Sequence, residues 1–202
     1  AASMDRLLLQ LQGDGVELRR QGDGGLQDVA NLPVPPARGE GIDPLAGVLT
    51  RQAAELPRWL LLPAASGLRR PLLLPAAARE RLREVLGFEI ERQTPFAAGD
   101  VLYDGRVLGV RDDGQLQAEL VVVPRARADA ALARLGALSG WLAGVDLADA
   151  EGRPLGVNLL PVAQRHQRRN PWRLWNIVLA ALALVALVLG LSQVLDNRGK
   201  AA

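Results

Sequence analysis

A long run of residues without a charged side chain, from Leu174 to Leu195, constrains this 202-residue chain more than any other feature. Its interior, from Ile177 to Leu191, contains only Ile, Val, Leu, Ala and Gly. About 20 apolar residues in a helix cover the roughly 30 Å hydrocarbon core of a membrane, whereas a buried helix of a soluble domain usually keeps a polar face. The run therefore predicts a single C-terminal transmembrane helix over residues 174–195, with a buried hairpin helix as the alternative.

The residues on either side of the run predict its orientation. Basic residues are enriched on the cytoplasmic side of a span, and tryptophan is enriched at the membrane interface. Only two basic residues, Arg198 and Lys200, follow the run, and Asp196 partly offsets them. We therefore expect the N-terminal part of the chain to be cytoplasmic. The predicted span residues include Leu174, Trp175, Ile177, Val178, Leu182, Val185, Leu189 and Val194, and the predicted topology and interface residues are Arg165, Arg168, Arg169, Trp172 and Arg173.

Composition excludes several classes of function. The chain has no Cys and a single His, His166, which excludes disulfides, thiolate metal sites and His-rich metal clusters. Most of its excess positive charge lies around the predicted span, so the remainder carries no basic stripe of the kind that binds nucleic acid. We expect neither a metal site nor a nucleic-acid partner.

Hydrophobic patterns in residues 1–160 predict an α+β domain with a mixed sheet and about three helices. Short or alternating apolar runs predict strands in pairs. The predicted strands are Arg6–Gln12, Val16–Arg20, Trp59–Leu62, Leu72–Leu74, Val101–Val110, Gln115–Val123, Val145–Ala148 and Leu155–Leu160. The predicted helices are Leu45–Ala53 after Pro44, Ala76–Gln93, and a helix capped by Asp129 that runs through Leu142.

The other segments are predicted to connect this domain to the membrane. Prolines and glycines from Asn31 to Pro44 predict a long surface loop. Residues 161–173 are polar and basic, which predicts a juxtamembrane linker that attracts anionic lipid. Residues 196–202 form a short tail on the periplasmic side of the predicted span.

No pattern of residues predicts catalysis or cofactor binding. Glycines at Gly13–Gly15 and Gly22–Gly25 do not lead from a strand into a helix with a phosphate-binding signature, so turns explain them better. Asp112 and Asp113 belong to a predicted turn, and Asp104 falls within a strand, where we expect a bulge. We therefore predict no catalytic, cofactor or metal site.

The segment Phe88–Phe96, which reads FEIERQTPF, carries a resemblance to a known family. With Asp100–Asp104 and Arg106–Leu108 it resembles the actin-like cytoplasmic proteins of type IV pilus assembly, in which a helix ends in an acidic residue before an x-Pro-Phe turn and a strand. Residues 121–147 continue the resemblance. Together with the predicted span, the arrangement is most similar to the protein L family of type II secretion systems.

This resemblance implies a degenerate, partial actin-like (ribonuclease H-like) domain without ATP. It also implies a bitopic component of the bacterial inner membrane that recruits the secretion ATPase through that enzyme's N-terminal domain. Further implied partners are other platform subunits, including one of the protein M type, within a homo- or hetero-oligomer. Members of the family often carry a periplasmic domain after the span, which residues 196–202 are too short to form.

Three alternatives stay open on the sequence. The chain could be a subunit of a type IV pilus alignment complex, a membrane-tethered actin-like nucleotide-binding protein, or a tail-anchored protein. For a partner surface we look first to the exposed positions of the Ala76–Gln93 helix and to open sheet edges, which can accept a strand. The helix residues that we single out are Arg79, Glu80, Arg83 and Glu91.

Overall fold

A computed structural model describes residues 5–36 and 42–165 of the chain. The predicted span 174–195, the tail 196–202 and the linker from residue 166 onward lie outside the described residues. Among the residues that are described, no helix is both long and apolar enough to cross a membrane.

The described residues form strands and helices in a mixed order. The strands are β1 (Arg6–Gln12), β2 (Gly15–Gly22), β3 (Gly25–Pro33), β4 (Arg58–Leu62), β5 (Leu68–Leu74), β6 (Val101–Val110), β7 (Leu116–Pro124) and β8 (Leu142–Leu147). The α-helices are α1 (Arg51–Ala54), α2 (Leu82–Gln93) and α3 (Arg125–Leu135). The predicted mixed sheet with about three helices is therefore confirmed.

Five strands form one sheet in the order β3-β2-β1-β4-β8. The first three strands are antiparallel neighbours, while β4 runs parallel to β1 and β8 runs parallel to β4. Leu7 and Leu9 of β1 are fully buried in the main core, and Leu8 between them is buried in a smaller cluster. Both faces of the central strand are therefore covered.

Three antiparallel strands form a second sheet in the order β5-β7-β6, and α2 packs against one of its faces. Leu86 and Ile90 of α2 are fully buried there. A Cβ atom at Gly105 of β6 would lie 1.9 Å from Leu86 Cδ1, and one at Gly87 of α2 would lie 2.7 Å from the Tyr103 hydroxyl oxygen. Two glycines thus allow the helix to approach the sheet closely.

The two sheets share one core. Val121 and Val123 of β7 are fully buried in the same cluster as β1, β4 and β8, as the sequence predicts for residues 121–123. Helix α3 adds Ala128 and Leu135 to that cluster. The alternating side chains of β7 therefore serve the main core on one face and the α2 core on the other.

Several predictions for the first half of the chain are wrong in detail. A third strand, β3, follows the first hairpin, so the predicted loop begins only after Pro33. The predicted helix after Pro44 is mostly turns, because Gly47 has a φ of +82°, and only the short α1 is helical, capped by the Thr50 side chain. Residues 76–81 of the predicted Ala76–Gln93 helix are 3-10 helix, and α2 starts after an irregular Arg81.

Three predictions for the second half are also wrong in detail. Helix α3 begins at Arg125 directly after Pro124, so Asp129 lies within the helix rather than capping it. Gly136, with a φ of +54°, ends the α-helix, and residues 136–141 are 3-10 helix. The bulge in β6 lies between Val107 and Gly109, not at Asp104, which pairs regularly with Val121.

Candidate functional site

The four predicted partner residues lie in α2 and in the 3-10 segment directly before it. Arg79 and Glu80 are exposed but lie in the 3-10 segment before the helix. Glu91 is exposed near the end of α2, and its Oε1 atom accepts a 3.4 Å hydrogen bond from the backbone N–H of Ala98. Three of the four predicted partner residues are therefore exposed, two in the 3-10 segment and one in α2.

Phe88 was missed by the sequence reasoning. It lies on the exposed face of α2 with Glu84 and Glu91, which we call the outer face of α2. Its side chain is 80% exposed, the highest value among the exposed large hydrophobic residues of the described chain. Glu84 and Glu91 are also exposed, one turn before and one turn after it on the same side of the helix. The sequence could have predicted this exposure. Leu86 and Ile90 are one turn apart on the buried face of the helix, and residue 88, halfway between them, lies on the opposite, charged face.

Arg83, the fourth predicted partner residue, is partly exposed and contacts the neighbouring sheet. Its guanidinium lies 5.3 Å from the centre of the Tyr103 ring, and Nη1 lies 3.9 Å from Asp104 Oδ1. Its side chain is 42% exposed. Contacts with β6 therefore hold Arg83 against the body of the domain.

Asp104 also binds the last extended segment of the domain, residues 155–160, which we call the strap. Its Oδ2 atom accepts a 2.7 Å hydrogen bond from the Asn158 backbone N–H. Asp146 of β8 accepts the two preceding N–H groups, from Gly156 at 2.9 Å and Val157 at 3.2 Å. Carboxylates from both sheets therefore bind three consecutive amides of the strap.

This arrangement corrects the predicted last hairpin. Residues 155–160 were expected to pair with β8 as a strand, but only Leu155 and Leu159 donate to β8 carbonyls. The amides between them are bound by aspartate side chains instead, so a regular ladder cannot form. The apolar residues of the strap are nevertheless buried in the main core: Leu155, Val157, Leu159 and Leu160.

Asp146 is itself part of a buried ion pair. Its Oδ2 atom accepts a 2.8 Å hydrogen bond from Arg6 Nη2, and both side chains are at most 2% exposed. The Arg6 guanidinium also lies 4.5 Å from the centre of the Trp59 ring, and its Nε donates to Gln21. Burial raises the pKa of the Asp146 carboxyl, and the Arg6 charge acts in the opposite direction.

Arg165, a predicted membrane-topology residue, is bound to the folded domain. Its Nε donates to the Leu160 carbonyl at 2.9 Å and its Nη2 to the Asn158 carbonyl at 3.4 Å. Burial and the neighbouring Arg83 lower the pKa of Arg165, while Asp104 opposes them. The other predicted topology and interface residues, Arg168, Arg169, Trp172 and Arg173, lie outside the described residues, as do all the named span residues.

The structure places the glycines and aspartates that the sequence analysis weighed as possible phosphate or metal sites. Within residues 5–36 and 42–165 no group of three or more His, Asp or Glu side chains is placed to hold a metal ion. Gly13 and Gly25 form tight turns between antiparallel strands, with φ values of +53° and +95°. Asp112 and Asp113 lie at an exposed turn after β6.

Comparison with known proteins gives a relative that is similar over nearly the whole chain. No protein-family model matches the chain. Over 200 residues, however, it is 51% identical to the type II secretion system protein L of Xanthomonas campestris pv. campestris. The chain is a relative of type II secretion system protein L. The resemblance predicted from the sequence is thereby confirmed. The alignment includes 99% of this chain but only 52% of protein L, so the chain spans about half the length of that relative.

Two solved structures are similar to a lesser degree. The cytoplasmic domain of EpsL, an inner-membrane component of the type II secretion system of Vibrio cholerae, has a TM-score of 0.43 and 20% identity, covering 71% of this chain and 56% of that one. A Bacteroides thetaiotaomicron protein of unknown function with an actin-like ATPase fold has a TM-score of 0.28 and 8% identity, covering 65% of this chain and 49% of that one.

Proposed function

We propose that this chain is a bitopic inner-membrane component of a type II secretion system that recruits the secretion ATPase to the membrane. The observation that carries the proposal is the 51% identity with protein L over nearly the whole chain. The predicted span 174–195 and the basic residues before it support an orientation with residues 1–160 in the cytoplasm. Anionic lipid is then a further partner of the linker 161–173.

The strand order supports an actin-like scaffold. Three antiparallel strands followed by two parallel ones, in the order β3-β2-β1-β4-β8, match a ribonuclease H-like unit, on which actin-like domains are built. The three-stranded sheet with α2 is an insertion between β4 and β8. The turn at Gly13–Gly15 lacks the hydroxyl side chains that an actin-like phosphate loop requires, so we propose that the domain works without ATP.

The outer face of α2 is the proposed docking surface for the N-terminal domain of the ATPase. An exposed aromatic side chain with charged neighbours is typical of an interface anchor, because aromatic residues contribute most where they become fully desolvated. Phe88 provides such an anchor, and Glu91 lies one turn from it on the same helix. Arg79 and Glu80, exposed in the 3-10 segment before α2, are further proposed contacts. Other platform subunits, including one of the protein M type, would bind elsewhere on the oligomer.

An anchor of this kind needs no chemistry of its own. A membrane-bound docking domain confines the ATPase to the membrane surface and raises its effective concentration beside the other secretion components. The residues of α2 hold the partner, and the strap connects the domain to the segment that continues toward the predicted span.

Calorimetric titration tests this proposal. The full chain in lipid nanodiscs is titrated with the N-terminal domain of the secretion ATPase from the same organism, and in parallel with ATP. We expect saturable binding of the ATPase domain at micromolar concentration or tighter and no heat from ATP. Binding of ATP without binding of the ATPase domain would contradict the proposal and favour a nucleotide-dependent protein.

A pair of matched variants locates the surface. Phe88→Ala should weaken binding of the ATPase domain at least tenfold, which corresponds to about 1.4 kcal/mol. Val29→Ala removes another exposed apolar side chain, 42% exposed on β3, and should leave binding unchanged. Equal binding by the wild type and both variants would place the docking surface elsewhere.

A further inference from the structure

A groove runs between α3 and the ends of the parallel strands. Its volume is about 370 Å³. Leu11 and Leu62 form part of its apolar floor, at the ends of β1 and β4. On the α3 side the wall is Arg127, Ala130, Ala131 and Arg134, which share one face of the helix at the i, i+3, i+4, i+7 interval. The two small alanines leave the space between the arginines open.

A second cavity of about 360 Å³ continues from the first. The two cavities share Ser66 and Arg127, so they form one surface groove. The second part is lined by Leu68, Arg70, Pro95 and Phe96. The Thr-Pro-Phe turn that carries the sequence resemblance thus forms part of this groove, and it shares no residue with the outer face of α2.

Three arginines border the groove, and each is held by a backbone carbonyl. Arg127 donates to the Ala65 carbonyl at 2.6 Å, Arg134 to the Gly13 carbonyl and Arg70 to the Gln93 carbonyl at 3.3 Å. None of the three forms an ion pair with a carboxylate of the described chain, and no acidic residue lines either cavity. The groove therefore presents positive charge that no carboxylate of its lining offsets, beside apolar surface.

From this combination we propose that the groove binds an acidic, amphipathic peptide segment of a partner protein. Carboxylates of the segment pair with Arg134, Arg127 and Arg70, since the planar guanidinium group matches the geometry of a carboxylate and can donate two parallel hydrogen bonds to it. Leucine-like side chains of the segment cover the floor at Leu11 and Leu62 and the surface of Phe96. Charge complementarity selects an acidic segment, and the apolar floor selects an amphipathic one.

A peptide fits the groove better than a lipid surface does. A membrane contacts the outermost residues of a domain, whereas the apolar floor here is concave and lies between two elements. Each half of the groove has room for one to a few side chains, which is the size range of small recognition pockets. This proposal does not rest on the identity of the ATPase as a partner.

Fluorescence anisotropy with a designed probe tests the inference. The probe is a fluorescein-labelled peptide of about 15 residues composed of Glu, Leu and Ala, with Leu at the i, i+3, i+4 and i+7 positions. The protein is the full chain in nanodiscs of zwitterionic lipid. We expect saturable binding of this probe, and at least tenfold weaker binding of two control peptides in which Lys replaces Glu or Ser replaces Leu.

Two variants examine charge and shape separately. Arg127→Glu with Arg134→Glu should weaken probe binding at least tenfold by reversing the charge, and Ala130→Trp should do so by filling the groove while the charge is unchanged. Arg51→Glu with Arg111→Glu makes the same change in net charge at exposed positions outside the groove and should reduce binding less than threefold.

The outcomes that would overturn the proposal are distinct. Probe binding that survives both groove variants would show that the peptide binds elsewhere. Equal binding of the Lys peptide would show that the arginines do not select charge. If vesicles containing phosphatidylglycerol bind in a manner that depends on Arg127 and Arg134 while the peptide does not, the groove is a lipid site and the peptide proposal is wrong.

Discussion

At the scale of single residues, the contact between α2 and β6 depends on the absence of a side chain. Gly105 pairs regularly with Leu120 of β7, so its importance comes from its neighbours rather than from an unusual backbone. Leu86 occupies the space that a side chain at residue 105 would need. The exposed Phe88 is presented by the same helix, so its position depends on this contact.

Gly105→Ala should destabilise the domain by about 1–3 kcal/mol, because the new methyl group overlaps the fully buried Leu86. Urea unfolding of the full chain in detergent, followed by circular dichroism, measures the change. Gly99→Ala is the matched control, since a Cβ atom there meets nothing within 4 Å, and it should shift stability by less than about 0.5 kcal/mol. Equal effects of the two variants would contradict the proposed packing.

The buried pair of Arg6 and Asp146 predicts a larger effect. Asp146→Ala leaves the Arg6 guanidinium buried without its counter-charge and removes the acceptor for two strap amides, which should cost about 3–5 kcal/mol. The same unfolding measurement applies. Asp28→Ala breaks the exposed Arg19–Asp28 pair, which has nearly the same length of 2.9 Å, and should leave the midpoint almost unchanged. A small loss for Asp146→Ala would show that Arg6 finds another partner.

At the scale of elements, the strap is stabilised by side chains rather than by a strand ladder. We expect the amides of Gly156, Val157 and Asn158 to exchange with solvent as slowly as those of a buried strand, because all three are bound by carboxylates. Asp104→Ala should accelerate exchange at Asn158 selectively, as Asp146 still binds the other two. Nuclear magnetic resonance exchange rates measure this. Uniform acceleration across the strap would mean that it opens as one unit.

The sequence predicts the secondary-structure elements that have a strong hydrophobic periodicity. It does not predict the segments whose structure depends on contacts with residues far away in the chain. Strands β1, β2, β6 and β7 and most of α2 were predicted, because alternation and the helical interval are local signals. Strand β3 was missed, since it is mostly exposed and lacks the apolar alternation of a half-buried strand. The strap was mistaken for a strand because its apolar pattern is that of a strand, and only the distant Asp104 and Asp146 change its hydrogen bonding.

The candidate site was predicted in the same partial way. The polar face of the predicted Ala76–Gln93 helix is a local feature, so the exposure of Arg79, Glu80 and Glu91 followed from the helical pattern, even though residues 76–81 are 3-10 helix. Arg83 contacts Tyr103 and Asp104. These contacts depend on how α2 packs against β6, which no local sequence pattern encodes. The groove beside α3 unites segments from four parts of the chain and could not be predicted from any one of them.

At the scale of the whole folded unit, the two sheets of residues 5–36 and 42–165 share the main core, and the three-stranded sheet has a second core against α2. Val121, Val123 and Leu102 of the three-stranded sheet are buried among residues of the five-stranded sheet. The strap is bonded to both sheets. We therefore expect the insertion between β4 and β8 to unfold together with the five-stranded sheet rather than as a separate lobe.

Core truncations in either sheet should lower the stability of both. Leu9→Ala in β1 and Leu120→Ala in β7 each remove a fully buried side chain, and each should cost about 2–5 kcal/mol. Pulse-labelling hydrogen exchange across a urea series reads the two sheets separately. We expect one common midpoint, shifted by each substitution. Two midpoints, of which only one moves, would show that the sheets unfold independently.

The position of the strap has a mechanical consequence for the domain. Arg165 is the last described residue, and its side chain holds the carbonyls of Asn158 and Leu160. Tension applied along the chain beyond residue 165 therefore acts first on the hydrogen bonds of Arg165. It acts next on the hydrogen bonds between the strap amides and Asp104 of β6 and Asp146 of β8. The strap passes this tension to both sheets, through Asp104 of β6 and Asp146 of β8, rather than to one strand alone.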